Sequence, residues 1–393
     1  MGQHKFVFAV LMFAMFITMA GVGIMIPVMP TYLDLFGVGG TVLGFLIASF
    51  AFAQFLFSPI AGDLSDRHGR KIFIVLGLVV YGIAQYIFGF ANELWMLFVS
   101  RFLSGLGAAF IAAPVMAYVA DITLPEERGK GMGLIGASMS LGFMVGPGFG
   151  GFLSNVNIHF PFLLSGSLAV ATALIALIAL PNIKPQINPH AVRENLFEQL
   201  ARSTKTPYFV LLIVVFTFSF GISNFQGTLS LLLADKFNYT ANDIAIILTI
   251  GGFIGVILQT FVIEKLFKRF GEMNVILVNL LVAAVMTVLT IVVSGFFFIT
   301  VVATIFSIAT TFIRPAVNTL ISKMAGAQQG YASGMNNAFM SLGTMVGPAL
   351  AGVLYDWNMN SPYIFGAIIL LLCFFVAYSW QQKQTKRDVV KAS

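Results

Sequence analysis

The sequence predicts an all-α integral membrane protein of twelve transmembrane helices, arranged as two pseudo-symmetric six-helix bundles. Three observations carry this expectation. The 393 residues are 59% hydrophobic and only 9% charged, with a mean hydropathy of +0.95, which excludes an ordinary soluble domain. Twelve apolar runs, centred near residues 17, 51, 82, 107, 142, 170, 218, 254, 285, 310, 343 and 371, each reach the length needed to cross a bilayer. The second half also repeats motifs of the first. Twelve such spans take up roughly 240 residues, leaving short loops, one longer connector and no room for a separate soluble domain. The runs are too long and too rich in glycine to be tilted barrel strands.

Basic residues set the orientation, because Lys and Arg are retained on the cytoplasmic side. With the N-terminus inside and alternating spans, one face holds 18 of the 21 Lys and Arg residues. Of the others, Arg101 and Arg314 fall within spans and Lys236 faces outward. A multi-pass cell-membrane protein with both termini cytoplasmic is therefore expected. The net charge of +6 is accounted for by that inner face, so no nucleic-acid partner is expected.

The first span is too long for a secretory signal, and it runs through Pro27 and Pro30 towards another span instead of a polar mature domain. Asp34 stands at its outer mouth. Spans 2 and 3 flank residues 62–71, GDLSDRHGRK. Here Gly62 and Gly69 allow close approach and tight turning. Asp63 and Asp66 are placed to pair with Arg67, Arg70 or Lys71, and Asp121 at the inner end of span 4 is a further partner. Such a cluster can latch the inner face in one state and release it in another; the alternative is simple retention of basic residues inside.

Span 4 carries Arg101, and span 10 carries Arg314. An arginine at mid-bilayer costs a few kcal/mol on insertion scales, so each should face the bundle interior or a water-filled cavity. A purely structural arginine bonding helix carbonyls is the other reading. In span 5, Gly142, Gly146 and Gly150 recur at four-residue spacing beside Pro147 and Gly151. Small residues at that spacing form a flat stripe for close helix packing, and the proline favours a bend.

The partition expected is a six-helix bundle over 1–181, a cytoplasmic linker over 182–206 and a second bundle over 207–393. Residues 191–202 of the linker place Val192, Leu196 and Leu200 on one face, as in a short amphipathic surface helix. A shift of 201 residues aligns 140–153 (SLGFMVGPGFGGFL) with 341–354 (SLGTMVGPALAGVL), nine identities in 14 positions. The same shift pairs Pro114 with Pro315, and a shift of 202 pairs Leu64, Arg67 and Gly69 with Leu266, Arg269 and Gly271. Parallel repeats of this kind suit a substrate site at their interface, with the halves rocking around it.

Cys373 is the sole cysteine, which excludes intrachain disulfides and cysteine metal sites. The four histidines lack ligand spacing. No metal, no cofactor and no enzymatic activity are expected, since no nucleophile–base pair or phosphate loop shares a site.

These motifs carry a family resemblance. The pattern over 62–71 resembles the loop between helices 2 and 3 of the major facilitator superfamily. Residues 101–109 resemble its helix 4 motif, and G-x-x-x-G-P-x-x-G-G over 142–151 resembles the helix 5 signature of its twelve-span drug:proton antiporters. Residues 27–33 (PVMPTYL) fit the same exporter pattern. Segments 219–221, 243–246, 314–316 and 325–330 look like Gram-positive multidrug efflux proteins of the fluoroquinolone-exporting type. The resemblance implies an exporter of hydrophobic or amphipathic drugs, working by alternating access in exchange for protons; the two pseudo-symmetric halves supply a complete pathway within one chain, so function as a monomer is expected. It implies substrate contacts at Gln54, Arg101, Phe143, Arg314 and Asn336, with Gln226 also in the cavity. Met139, Met144 and Met340 would add adaptable contacts.

The chain departs from those relatives at two positions, where they carry acids and it has Gln226 and Thr311. None of its 15 Asp and Glu residues falls in the middle third of a span. Proton carriage is then left to Asp34 or Asp121, either needing a pKa raised by several units through burial. The cavity should favour neutral, zwitterionic or anionic compounds over lipophilic cations. The alternatives are a dedicated exporter or facilitator of a small metabolite and a lipid-handling or sensing protein on the same fold.

Overall fold

The computed structural model describes residues 5–182, 196–325 and 329–392. Among these, fourteen α-helices follow one another without a strand, and twelve are long and apolar enough to cross a membrane. The spanning helices are α1 (Lys5–Phe36), α2 (Gly40–His68), α3 (Arg70–Gly89), α4 (Leu94–Ile122), α5 (Pro125–Ser154), α6 (Phe160–Ala179), α8 (Phe209–Phe237), α9 (Ala241–Phe261), α11 (Glu272–Val292), α12 (Phe296–Ala325), α13 (Gln329–Trp357) and α14 (Ser361–Ala392). In hydrocarbon only a helix or a closed barrel satisfies every backbone polar group within itself, which is why such apolar runs adopt this state. Side chains complete the accounting: Thr18, Ser138, Thr172, Thr287 and Thr310 each donate to the carbonyl four residues earlier on their own helix.

Two short helices complete the set. α7 (Leu196–Ser203) covers the C-terminal part of the expected amphipathic helix; residues 191–195 of that expectation, and 326–328 of the segment 325–330, lie outside the described residues. Arg202 of α7 stacks its guanidinium 4.1 Å above the Tyr331 ring of α13, a cation–π anchor. α10 (Ile263–Phe270) is set off from α9 at Val262, whereas its counterpart in the first half is simply the end of an unbroken α2. No proline or glycine marks that break. Its exposed Glu264 is held by Lys268 at 2.6 Å, and the hydrogen bond from that ammonium lowers the carboxyl pKa.

Contacts divide the chain into two compact units. One takes the described residues of 1–191 together with Ser230–Thr249; the other takes those of 192–229 and 250–393. In the first, α1 packs on α5 and α6, and α3 packs between α4 and α6, with α2 on α4. Leu11, Met15, Leu78, Tyr81, Ile111, Tyr118 and Ala173 form its dry centre. Ser230–Thr249 joins this unit through α5: a Cβ placed on Gly151 would lie 2.4 Å from Ala245 Cβ and 2.7 Å from the Ala241 carbonyl. In the second unit α11 packs on α12 and α14, and α13 on both. Large apolar side chains also cover the outside, among them Ile178 at 86% exposure and Trp357 at 82%. Surface of that kind belongs against lipid.

The repeat is visible in the helix pairs. A Cβ on Gly142, Gly146 or Gly150 of α5 would stand 2.3, 2.5 and 2.3 Å from the carbonyls of Phe16, Ala20 and Ile24 on α1. In the second unit, Cβ atoms on Gly343 and Gly347 of α13 would stand 2.5 and 2.7 Å from the carbonyls of Phe216 and Phe220 on α8. The same motif thus produces the same backbone-to-backbone packing twice.

Candidate functional site

The turn between α2 and α3 is made by one residue. Gly69 has φ +101°, a conformation that a side chain would oppose, and its amide donates to the Ser65 carbonyl. That turn delivers Arg70, at the first position of α3, into a pocket where it is only 8% exposed. Its Nε donates to Asp121 of α4 at 3.2 Å, its Nη1 donates to Ser65 Oγ at 2.9 Å, and it also pairs with Asp66. Three elements are therefore tied by one guanidinium whose planar fork suits several acceptors at once. Arg67 pairs separately with Asp63, at 3.0 Å on the exposed side. Lys71 forms no ion pair with the described residues. Gly62 sits within α2, and a Cβ added there would meet nothing within 4 Å, so close approach is not its use within this unit. Ser65 is absent from the sequence-derived candidates; a serine in an acidic–basic loop carries no distinctive signal.

The second unit contains a counterpart with the signs exchanged. Gly271, φ +77°, makes the equivalent turn into α11, and Glu272 at the start of that helix meets Lys323 of α12 at 2.5 Å. Both pairs are 51 residues apart in sequence. In the first unit the basic member begins the helix after the turn; in the second it is the acidic one.

Arg101 lies on α4, 3% exposed, and its surroundings are almost wholly apolar. Its Nη1 donates to the Met25 sulfur of α1, a weak acceptor. Its guanidinium carbon sits 5.2 Å from the Phe50 ring of α2 and 5.8 Å from the Phe88 ring of α3. Each cation–π contact supplies about 0.5–2 kcal/mol, against a penalty of several kcal/mol for a desolvated ion. No described carboxylate pairs with it. Beside it, the Tyr81 hydroxyl donates to the Thr18 carbonyl at 2.9 Å. Gln85, Ser104 and Ser165 are buried with side-chain Nε2 or Oγ atoms that have no hydrogen-bond partner, as has Arg101 Nε. Gln85 is legible in the sequence as a polar residue inside an apolar run; Tyr81 and the serines are not, since isolated hydroxyls in such runs usually bond their own helix.

Of the other candidates in the first unit, Gln54 of α2 and Phe143 of α5 are half-buried, and the Gln54 carbonyl accepts from Ser58. Gly148 and Gly151 face α9, while Gly142, Gly146 and Gly150 face α1; Pro147 touches the position where Gly23 would carry a methyl. Asp34, the proton-carrier candidate, is exposed at the end of α1. The burial on which that role depends is absent there. Asp121 is engaged by Arg70. Near the same end of α1, Tyr32 is fully buried and its hydroxyl meets His159 Nδ1 at 3.0 Å, with Phe88 and Phe162 around the ring.

In the second unit Asn336 of α13 is 9% exposed with Oδ1 unpartnered, Gln226 of α8 is half-buried, and Arg314 of α12 is exposed. Asn224, on α8 near Gln226, is buried at 1% exposure with Nδ2 unpartnered. No group of three or more His, Cys, Asp or Glu suited to a metal occurs among the described residues.

Comparison with known proteins follows the same lines. The profile of the Major Facilitator Superfamily matches residues 11–212 and 211–392. Multidrug resistance protein 2 of Bacillus subtilis is 36% identical over 388 residues, covering 98% of this chain and 97% of that protein. Quinolone resistance protein NorA of Staphylococcus aureus is 33% identical over 354 residues, covering 90% and 91% respectively. Among solved structures, a point mutant of the nucleoside transporter NupG superposes with a TM-score of 0.82 over 95% of this chain and 99% of that one, at 12% identity; this likeness bears on the fold alone.

Proposed function

The chain belongs to the major facilitator superfamily, and from that premise we propose that it exports hydrophobic and amphipathic drugs across the cell membrane by alternating access, in exchange for protons. The observation that carries this reading is end-to-end similarity, at 33–36% identity, to proteins named for multidrug and quinolone resistance. The α5 glycine stripe packed on α1, which resembles the exporter signature, supports the same direction of transport. With the basic residues inside, both termini and the Arg70–Asp66–Asp121 cluster lie on the cytoplasmic face. There the cluster is the latch of that face in this reading, a partly desolvated charged contact that ties α2, α3 and α4 together within the first unit.

The substrate contacts in this reading are Gln54, Arg101, Phe143, Gln226, Arg314 and Asn336, the positions that the family resemblance implies. One chain supplies the whole pathway, so a monomer suffices. Proton coupling through a single mid-span carboxylate does not suit this chain, and neither exposed Asp34 nor ion-paired Asp121 replaces it in the described conformation. That observation favours a second reading, a dedicated exporter or facilitator of a small metabolite.

The test is intracellular accumulation of norfloxacin in a drug-sensitive bacterial host carrying the chain. Lower accumulation than in the vector control, restored by an uncoupler, is the expected outcome. Equal accumulation, with the protein verified in the membrane, would remove the drug-export reading and leave the metabolite one.

A further inference from the structure

We propose that Arg101 is the centre of a buried binding site for a monovalent anion, formed within the first unit by α1, α3, α4 and α6. The helices around it carry further buried groups that can donate. Arg101 Nε, Gln85 Nε2, Ser104 Oγ and Ser165 Oγ are all buried, in residues exposed by 3, 2, 1 and 3%, and none has a hydrogen-bond partner. Their placement is mutual. Ser104 stands one turn from Arg101 on α4, and such residues share a helix face. Tyr81 OH and Ser165 Oγ lie 2.3 and 2.8 Å from the point where a Cβ on Gly21 would stand, so the absence of a side chain at Gly21 is what lets them meet. Gln85 stands four residues from Tyr81 on the same face of α3, and the Tyr81 hydroxyl is itself turned to the Thr18 carbonyl.

A buried guanidinium is held by pairing, and here the chain provides no carboxylate among the described residues. Met25 sulfur and the faces of Phe50 and Phe88 occupy the other sides. A fixed positive charge with no carboxylate, beside buried N–H and O–H groups free to donate, favours a small negative group over a cation. The occupant is either a free halide or the carboxylate of a transported compound; both present one negative charge to the same donors. The carboxylate source rests on the drug-export reading, the halide source does not.

The experiment is thermal unfolding of the full chain in lipid nanodiscs, followed by the fluorescence of Trp95, Trp357 and Trp380. Chloride is titrated against gluconate at constant ionic strength, and norfloxacin and its methyl ester are titrated separately in gluconate. Saturable stabilisation by chloride, with the half-point raised about tenfold or more in Arg101→Gln, identifies a halide. Stabilisation by norfloxacin but not by the ester, opposed by chloride and lost in Arg101→Gln, identifies a substrate carboxylate. Should Arg101→Gln fail to fold, Gln85→Leu and Ser165→Ala are expected to weaken the same response. A wild-type chain indifferent to both ligands, or variants that respond as it does, would overturn the proposal. Since binding is read without transport, failure of the export reading leaves this result interpretable.

Discussion

At the scale of single residues, the arginines carry most of the argument, and they differ. Arg70 is tied to Ser65, Asp66 and Asp121, so its removal leaves two carboxylates facing each other. A double-mutant cycle of Arg70→Ala and Asp121→Ala, read as unfolding free energy, should give a coupling of about 1 kcal/mol or more. Strictly additive effects would mean that the contact does not contribute. Arg101 is buried against rings and a thioether with no carboxylate partner among the described residues, and replacing such a charge by an apolar side chain is often neutral or stabilising. Arg101→Met should therefore unfold at the same temperature as wild type or higher, while losing norfloxacin transport. Loss of both together would make Arg101 structural. Arg101 is visible in the sequence as an ion within an apolar run, because charge there is costly. Its tyrosine and serine neighbours are not, because which helices meet at that depth is decided by packing.

At the scale of elements, α5 shows how glycines act through their neighbours. Gly150 faces α1 with no room for a methyl: a Cβ would stand 2.3 Å from the Ile24 carbonyl. Gly136, on the same helix, has nothing within 4 Å. Gly150→Ala should force the helices apart and cost about 1–3 kcal/mol, whereas Gly136→Ala should be neutral or up to about 1 kcal/mol stabilising from helix propensity alone. Melting temperatures of the two variants decide this, and equal values would contradict the packing. The four-residue spacing makes this stripe legible in the sequence, and the repeat announces its partner in α13. The break between α9 and α10 is not legible, since Val262 follows an ordinary apolar run with no helix-breaking residue.

The pseudo-symmetric ion pairs belong to the same scale. Arg70–Asp121 and Glu272–Lys323 occupy equivalent places with opposite polarity, although the internal repeat pairs only the flanking Leu, Arg and Gly positions. In the sequence, Lys323 and Glu272 look like ordinary helix-end charges, because a pair separated by 51 residues has no local signature. Exchanging the second pair, Glu272→Lys with Lys323→Glu, should preserve folding, whereas either single change places like charges together and lowers the melting temperature. Single variants as stable as the exchange would show the pair to be idle.

At the scale of the whole molecule, hydropathy and the placement of Lys and Arg are enough to expect twelve spans, since spanning a bilayer imposes length and composition on every helix. The direction of transport and its energy source are less constrained. They depend on where protons bind, and this chain has glutamine and threonine, Gln226 and Thr311, at the positions where its resemblance leads one to expect acids. The same departure predicts a charge preference: ethidium, a permanent cation, should be a much poorer substrate than zwitterionic norfloxacin. Efficient ethidium efflux, competed by other cations, would contradict it.

The most direct test of drug export coupled to protons is norfloxacin uptake into inverted vesicles containing the purified chain, with and without an acidic lumen. The account predicts accumulation that requires the pH gradient, collapses on addition of an uncoupler and is absent in Arg101→Met. Accumulation by folded wild-type protein that is indifferent to the gradient, or no accumulation at all, would contradict it.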